Sequence, residues 1–268
     1  MSNTAFTFHA GTTPLLLSIP HDGRELPDDI AERMTPYAKA LPDTDWHVAR
    51  LYAFATDIGA SVITARQSRY VIDLNRPASD GPLYDGQVST GLCPARTFSG
   101  EPVYIDAATV DAGEQSGRTE RYWQPYHEQI EKTLLKLKAA HGHALLWDAH
   151  SIMSEVPALF AGKLPVLNLG TFDGRSCSAH IQSALDAVAA SSPYSSVCNG
   201  RFKGGYITRH YGRPDHGIHA VQLELAQRSY MNEKTLRYDA SRSAQLVRTL
   251  RELLLTFIQS AKPARVQT

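Results

Sequence analysis

The chain reads as an α/β fold: a single domain over residues 1–268, with a mixed, largely parallel β-sheet flanked by helices on both faces. Two observations predict this. Short apolar runs such as LLLSIP (15–20), HALLWDAHS (143–151) and GIHAVQLELA (217–226) alternate with longer amphipathic stretches, the pattern of strands joined by crossover helices. Polar residues gather where those runs stop, which is where an open α/β sheet places its site. No internal repeat and no linker interrupts the pattern.

In chain order, LLLSIP is rich in large aliphatics and closed by Pro20, so it reads as a buried strand that delivers His21 into a loop. PDTDWHVARLYAFATDIGA (42–60) opens with Asp residues before apolar positions at helical spacing and stops at Gly59, which predicts an N-capped helix. ASVITA (60–65) follows as a strand. Residues 78–117 carry many Gly, Pro, Ser and Asp residues with little periodicity and read as a loop insertion over a pocket. RTERYWQPYHEQIEKTLLKLKAAHG (118–142) is a long amphipathic helix closed by Gly142, and HALLWDAHS is the next strand. PVLNLGT (165–171), a helix near 175–191, YSSVCNG (194–200) and GIHAVQLELA continue the alternation, and 233–260 is a long final helix.

Composition excludes several function classes. Lys and Arg together equal Asp and Glu, 27 each, so no global field points to nucleic acid or to an anionic membrane, and anion recognition must be local. Cys93, Cys177 and Cys198 are scattered without a CxxC pair, which fits a reducing compartment and not a disulfide framework or a cysteine-built zinc site. Any metal must then sit on His and carboxylates. The N-terminus, MSNTAFTFHAGTTP, lacks the layout of a signal peptide and no apolar run approaches bilayer length, so a cytoplasmic location is expected. The oligomeric state is not readable from the sequence.

Two strands end in histidine: His21 after LLLSIP, and His150 in WDAHS with Asp148 two residues before it. Neutral imidazole suits zinc, and a catalytic zinc site takes three protein ligands and leaves one position for water. A third ligand is expected from DTDWH, where Asp45 is the first choice and Asp43 or His47 are near substitutes; the plain alternative is that Asp43 or Asp45 only caps a helix. Glu224, between two leucines in QLEL, is the candidate to accept a proton from water and pass it to a leaving nitrogen, with a structural salt bridge as the alternative. His127 in YWQPYHEQ is expected to pack on its helix, and His216 and His219, three apart, face opposite sides of a strand.

Two segments look like anion receptors. SRYVIDLNRP (68–77) places Arg69, Asp73, Asn75 and Arg76 around an apolar stretch, and paired guanidiniums hold carboxylates through charge-assisted hydrogen bonds. FKGGYITRHYGRP (202–214) concentrates Gly204, Gly205, Lys203, Arg209, His210 and Arg213; adjacent glycines let backbone approach a ligand, while a mobile basic loop is the alternative.

These motifs carry a resemblance. SRYVIDLNR, WDAHS and QLEL resemble the arginine motif, zinc-ligand strand and glutamate strand of aspartoacylase and succinylglutamate desuccinylase, acylases related to the zinc carboxypeptidases. The fuller set SIPHDG, LPDTDWHV, SRYVIDLNRP, WDAHS and FKGGYITRHYG resembles the N-formylglutamate amidohydrolase family, from about residue 15 to about residue 227. The resemblance implies a zinc-carboxypeptidase-like fold and one zinc ion or another divalent metal. It also implies metal-dependent hydrolysis of a small N-acyl amino acid, N-formyl-L-glutamate, to formate and L-glutamate in histidine degradation. On this implication His21 and His150 hold the metal, Glu224 moves the proton, Arg69 stabilises the oxyanion, and Asn75 with Arg76 binds the α-carboxylate, while the remaining metal ligand has no direct match and Asp45 is inferred for it. Arg209 or Arg213 would take the side-chain carboxylate, and Asp148 would hold a ligand or an arginine in place. The chain departs from the wider superfamily at one point: His-x-x-Glu is absent, because the residue three after His21 is Arg24. Alternatives in the same class are deacylation of N-formyl-aspartate or a succinyl-amino acid, and carboxypeptidase activity. A non-catalytic dicarboxylate binder would not need two strand-end histidines and a strand glutamate.

Overall fold

The computed structural model describes residues 4–80, 90–105 and 110–261. One sheet runs through it in the order β1-β3-β2-β4-β7-β5-β6: β1 (Phe6–His9), β2 (Leu15–Ile19), β3 (Ser61–Ala65), β4 (Ala144–Ile152), β5 (Leu167–Gly170), β6 (Ser196–Cys198) and β7 (Ile218–Ala226). The four central strands β3, β2, β4 and β7 are mutually parallel. β1 pairs antiparallel at one edge, while β5 and β6 are parallel to each other and antiparallel to β7. The sheet is therefore mixed and largely parallel, as the alternation of elements implies.

Helices cover both faces because the central strands are buried on both sides. Odd-numbered Leu15, Leu17, Leu145, Trp147, Val221 and Leu223 join one core. That core is shared with α3 (Val48–Leu51), α6 (Ala179–Ser191) and α8 (Ala240–Ser260). In α8 the apolar face is Leu246, Leu250, Leu253, Leu254 and Phe257, each fully buried and each worth about 1.5–3 kcal/mol relative to exposure. Even-numbered Leu16, Leu146 and Ala220 form the opposite core with Tyr126, Ile130, Leu134 and Leu137 of α5 (Gln124–His141). The same alternation puts Asp148, His150, Gln222 and Glu224 on this second face, at the carboxyl ends of their strands. There the cover is no longer α5 but the irregular segment 68–76 and α7 (Tyr206–Tyr211), which contribute Tyr70, Val71, Ile72, Leu74, Ile207 and Tyr211 to the core.

Three expectations change. The helix expected over 42–60 contracts to α3 and a short 3-10 turn at Ala53–Ala55, because His47 takes a left-handed φ of 68° and Asp45 is drawn away from the helix. Its first amides are capped by Asp22, whose carboxylate accepts from His47 N at 3.2 Å and Ala49 N at 2.9 Å. The final helix begins at Ala240, where the Asp239 side chain accepts from Ser241 N and Arg242 N; residues ahead of it form a small hairpin, β8 (Met231–Asn232) with β9 (Arg237–Tyr238). Residues 78–117 are not one loop, since α4 (Ala112–Arg118) occupies their end and continues through a wide turn at Thr119–Trp123 into α5. Parts of that stretch, 81–89 and 106–109, lie outside the described residues. Two short helices, α1 (Asp28–Ala31) and α2 (Pro36–Lys39), complete the chain order. Among the described residues no helix is long and apolar enough to cross a membrane.

Candidate active site

His21 follows β2 and His150 lies near the end of β4, two parallel strands paired in register through Ser18 and Asp148. Asp45 is brought beside His21 by the main chain, its amide donating to His21 O at 3.0 Å. One carboxylate oxygen, Asp45 Oδ2, then lies 3.0 Å from His150 Nδ1 and 3.8 Å from His21 Nδ1, and it also accepts from Ser151 N at 3.1 Å. The ligating atoms of His21, Asp45 and His150 fall within 4.8 Å of one another, and all three residues are buried. The two substitutes for Asp45 go elsewhere. The Asp43 carboxylate accepts from Tyr70 OH and Phe98 N, and His47 Nε2 pairs with Leu236 O.

Two histidines and a carboxylate are a donor set suited to a catalytic zinc ion. The fit extends outward: His21 Nε2 lies 2.7 Å from Asp73 Oδ1, and His150 Nε2 lies 3.1 Å from Asp148 Oδ2. Buried carboxylates on the far nitrogens fix each ring so that both Nδ1 atoms face Asp45, as supporting residues of metal-ligating histidines do. Asp148 is itself fully buried and accepts from Ser18 Oγ and Thr208 Oγ1. Burial alone would lower the His150 pKa, but the Asp148 and Asp45 carboxylates outweigh it and raise it well above the ordinary value. For His21, burial and the Arg69 charge together lower it.

Glu224 stands directly opposite His150 in the β4–β7 register and lines the same cavity. Its carboxylate receives Gln222 Nε2 at 3.3 Å, and among the described residues it has no ion-pair partner, so the structural salt bridge is not what this position holds. Burial raises its pKa to about 8.

Segment 68–76 threads over these strand ends. Arg69 donates to Asp73 Oδ2 at 2.6 Å and lies 3.8 Å from Asp45 Oδ1, so Asp73 touches the arginine and His21 at once. Asn75 lines the cavity beside His150, but its amide already has partners: Oδ1 accepts from Ile207 N at 2.8 Å, and Nδ2 donates to Asp148 Oδ2 at 3.5 Å. The close backbone approach expected of the glycine pair is made to this amide, since a Cβ on Gly205 would sit 2.2 Å from Asn75 Nδ2. Arg76 lines the cavity as well, and among the described residues its buried Nε has no hydrogen-bond partner. His127 is structural, held between Tyr211 OH and Leu74 O at 2.9 Å each.

The two arginines expected to supply a second cation do not line this cavity. Arg209 hydrogen-bonds Gly204 O and lies over the Phe172 ring, Arg213 is exposed, and neither lines the cavity. Arg201 does, just ahead of the FKGG motif, together with Phe202, Leu159, Ile152 and Phe98. Its only signal in the sequence is a basic residue one position before that motif. The cavity holds about 100 Å³, well above the roughly 10–15 Å³ that one water needs.

Fold and site together define a class: α/β proteins with a buried histidine–carboxylate cluster at the ends of parallel strands. The family described as N-formylglutamate amidohydrolase matches residues 13–231, and the chain belongs to it. It is 51% identical over 252 residues to the N-formylglutamate deformylase of Pseudomonas putida, covering 92% of this chain and 93% of that protein. To the enzyme of the same name from Pseudomonas aeruginosa it is 50% identical over 250 residues, covering 92% and 94%. Among solved structures, the N-formylglutamate amidohydrolase of Ralstonia eutropha JMP134 superposes with a TM-score of 0.81 at 23% identity, over 96% of this chain and 97% of the other. A gene product of Agrobacterium tumefaciens gives 0.72 at 19% identity, over 94% and 96%. At those identities the structural likeness is one of fold.

Proposed function

We propose that the chain hydrolyses N-formyl-L-glutamate to formate and L-glutamate, as the names of its half-identical relatives suggest, and so serves histidine breakdown in the cytoplasm. The observation that carries the reading is the convergence of His21, Asp45 and His150 with Glu224 in one cavity that is also lined by Arg69 and Arg76. His21, Asp45 and His150 would hold one zinc ion, with the zinc-carboxypeptidase family offering the nearest chemical parallel. A zinc ion so held supplies Lewis-acid polarisation and acidifies a water.

The remaining roles belong to side chains. Glu224 accepts the proton of the attacking water; the water oxygen bonds to the formyl carbon; the C–N bond breaks; and Glu224 returns the proton to the departing amine. Arg69, pinned by Asp73 beside Asp45, presents its charge to the oxygen on which negative charge develops. Arg76, with an unpartnered buried Nε, takes the α-carboxylate, while Asn75 holds the frame between His150 and α7. The test is formate release from N-formyl-L-glutamate, compared with the acetyl and succinyl derivatives of Glu and Asp. Turnover confined to the formyl-glutamate compound supports the reading; preference for a succinyl or aspartyl derivative moves it to another N-acyl amino acid.

A further inference from the structure

We infer that Arg201 is the receptor for the substrate's side-chain carboxylate and is the residue that makes the site prefer an acidic amino acid. The inference rests on the N-acyl-glutamate reading above and names the part of that substrate the catalytic groups leave unattended.

Such a substrate carries two carboxylates, and three guanidiniums line the cavity: Arg69, Arg76 and Arg201. Arg69 is committed to Asp73 at 2.6 Å and lies near Asp45, at the reacting end. Arg76 follows Asn75, which touches His150, so it too lies near that end and suits the carboxylate adjacent to the scissile amide. Arg201 belongs to a different part of the chain, between β6 and α7. Its Nε donates to Leu159 O at 2.7 Å, which fixes the plane of the guanidinium. The wall around it is apolar: Ile152, Leu159, Phe202 and Phe98 line the same cavity, and all four belong to one small hydrophobic cluster. An apolar strip ending in a fixed guanidinium is complementary to two methylenes ending in a carboxylate. Neither Arg209 nor Arg213 offers that arrangement.

The experiment measures kcat and KM of the zinc-loaded enzyme on N-formyl-L-glutamate and on N-formyl-L-glutamine, which has the same shape without the charge. Wild type is expected to favour the acid. Arg201→Gln should lose about 10- to 100-fold in kcat/KM on the acid, mostly through KM, and change little on the amide, because only the charged pair is removed. Arg201→Lys should retain part of the preference. Equal losses on both substrates in the two variants, or an unchanged preference in a folded Arg201→Gln protein with one zinc per chain, would overturn the assignment. Wild-type inactivity on both compounds would instead overturn the N-formylglutamate reading, and the assignment with it.

Discussion

His150 and Glu224 are register partners on adjacent parallel strands, one in the His21–Asp45–His150 cluster and the other with no ion pair among the described residues. The β4–β7 ladder fixes their separation without help from any loop. Glu224→Gln keeps size and hydrogen bonding but cannot carry a proton. It should hold one zinc per chain and lose about 10²- to 10⁴-fold in kcat, read by formate release and metal analysis on the same sample. Near-normal turnover would remove Glu224 from the reaction.

Asp148 and Asp73 hold the far nitrogens of the two histidines, but only Asp73 also grips Arg69. Asp148→Asn should weaken zinc binding by about 10- to 100-fold in chelator competition, with kcat largely restored once metal is saturating. Asp73→Asn should weaken zinc similarly yet leave kcat depressed at saturation, since Arg69 loses its anchor. Identical behaviour of the two variants would mean that the Asp73–Arg69 contact has no part in turnover.

Chelation should abolish formate release, and added zinc should restore it. Metal binding also favours the folded state, by about 2.7 kcal/mol at a free concentration of one hundred times Kd. The thermal midpoint should therefore rise with zinc in wild type and much less in His150→Ala. A midpoint indifferent to zinc would argue against the cluster as a metal site.

His127 makes a separate, structural prediction. Burial lowers its pKa from 6.5 to about 3, while the ring stays neutral between Tyr211 and Leu74. Above pH 6.5 it is neutral in both states and contributes no pH dependence. Below that value the unfolded chain takes up a proton that the folded chain refuses until about pH 3, so stability falls as pH falls, by up to about 1.4 kcal/mol per pH unit. Denaturant titrations at several pH values should show a shallower loss of stability in His127→Gln. Parallel curves for the two proteins would place the acid sensitivity elsewhere.

Much of this architecture was legible because the central strands are apolar on both faces and polar only at their ends. LLLSIPH, LLWDAHS and VQLELA announce both the strands and the groups they deliver. What escaped the sequence is what depends on contacts between distant residues. Helical spacing over 42–60 favours a long helix, but the Asp45 amide is tied to His21 and its carboxylate to His150, so the backbone gives up regular structure at the site. The cap moves to Asp22, a residue 25 positions before the amide it first serves. The grip of Asp73 on His21 spans 52 positions and leaves no local pattern. Arg201, Arg209 and Arg213 look equally basic in the sequence, and only the packing of the sheet decides which of them meets the cavity.

The two ends of the cavity belong to separable stretches of chain. The cluster hangs from the interior of the sheet, whereas Arg201 and Phe202 follow β6, the last strand at one edge. Arg201 and Phe202 thus reach the cavity from outside the β4–β7 ladder, whose Ile152, the last residue of β4, lines it with them. If Arg201 reads the side-chain carboxylate as inferred above, exchanging the short post-β6 segment for a relative's is expected to alter which acid is preferred while His150 and Glu224 stay in place on their strands.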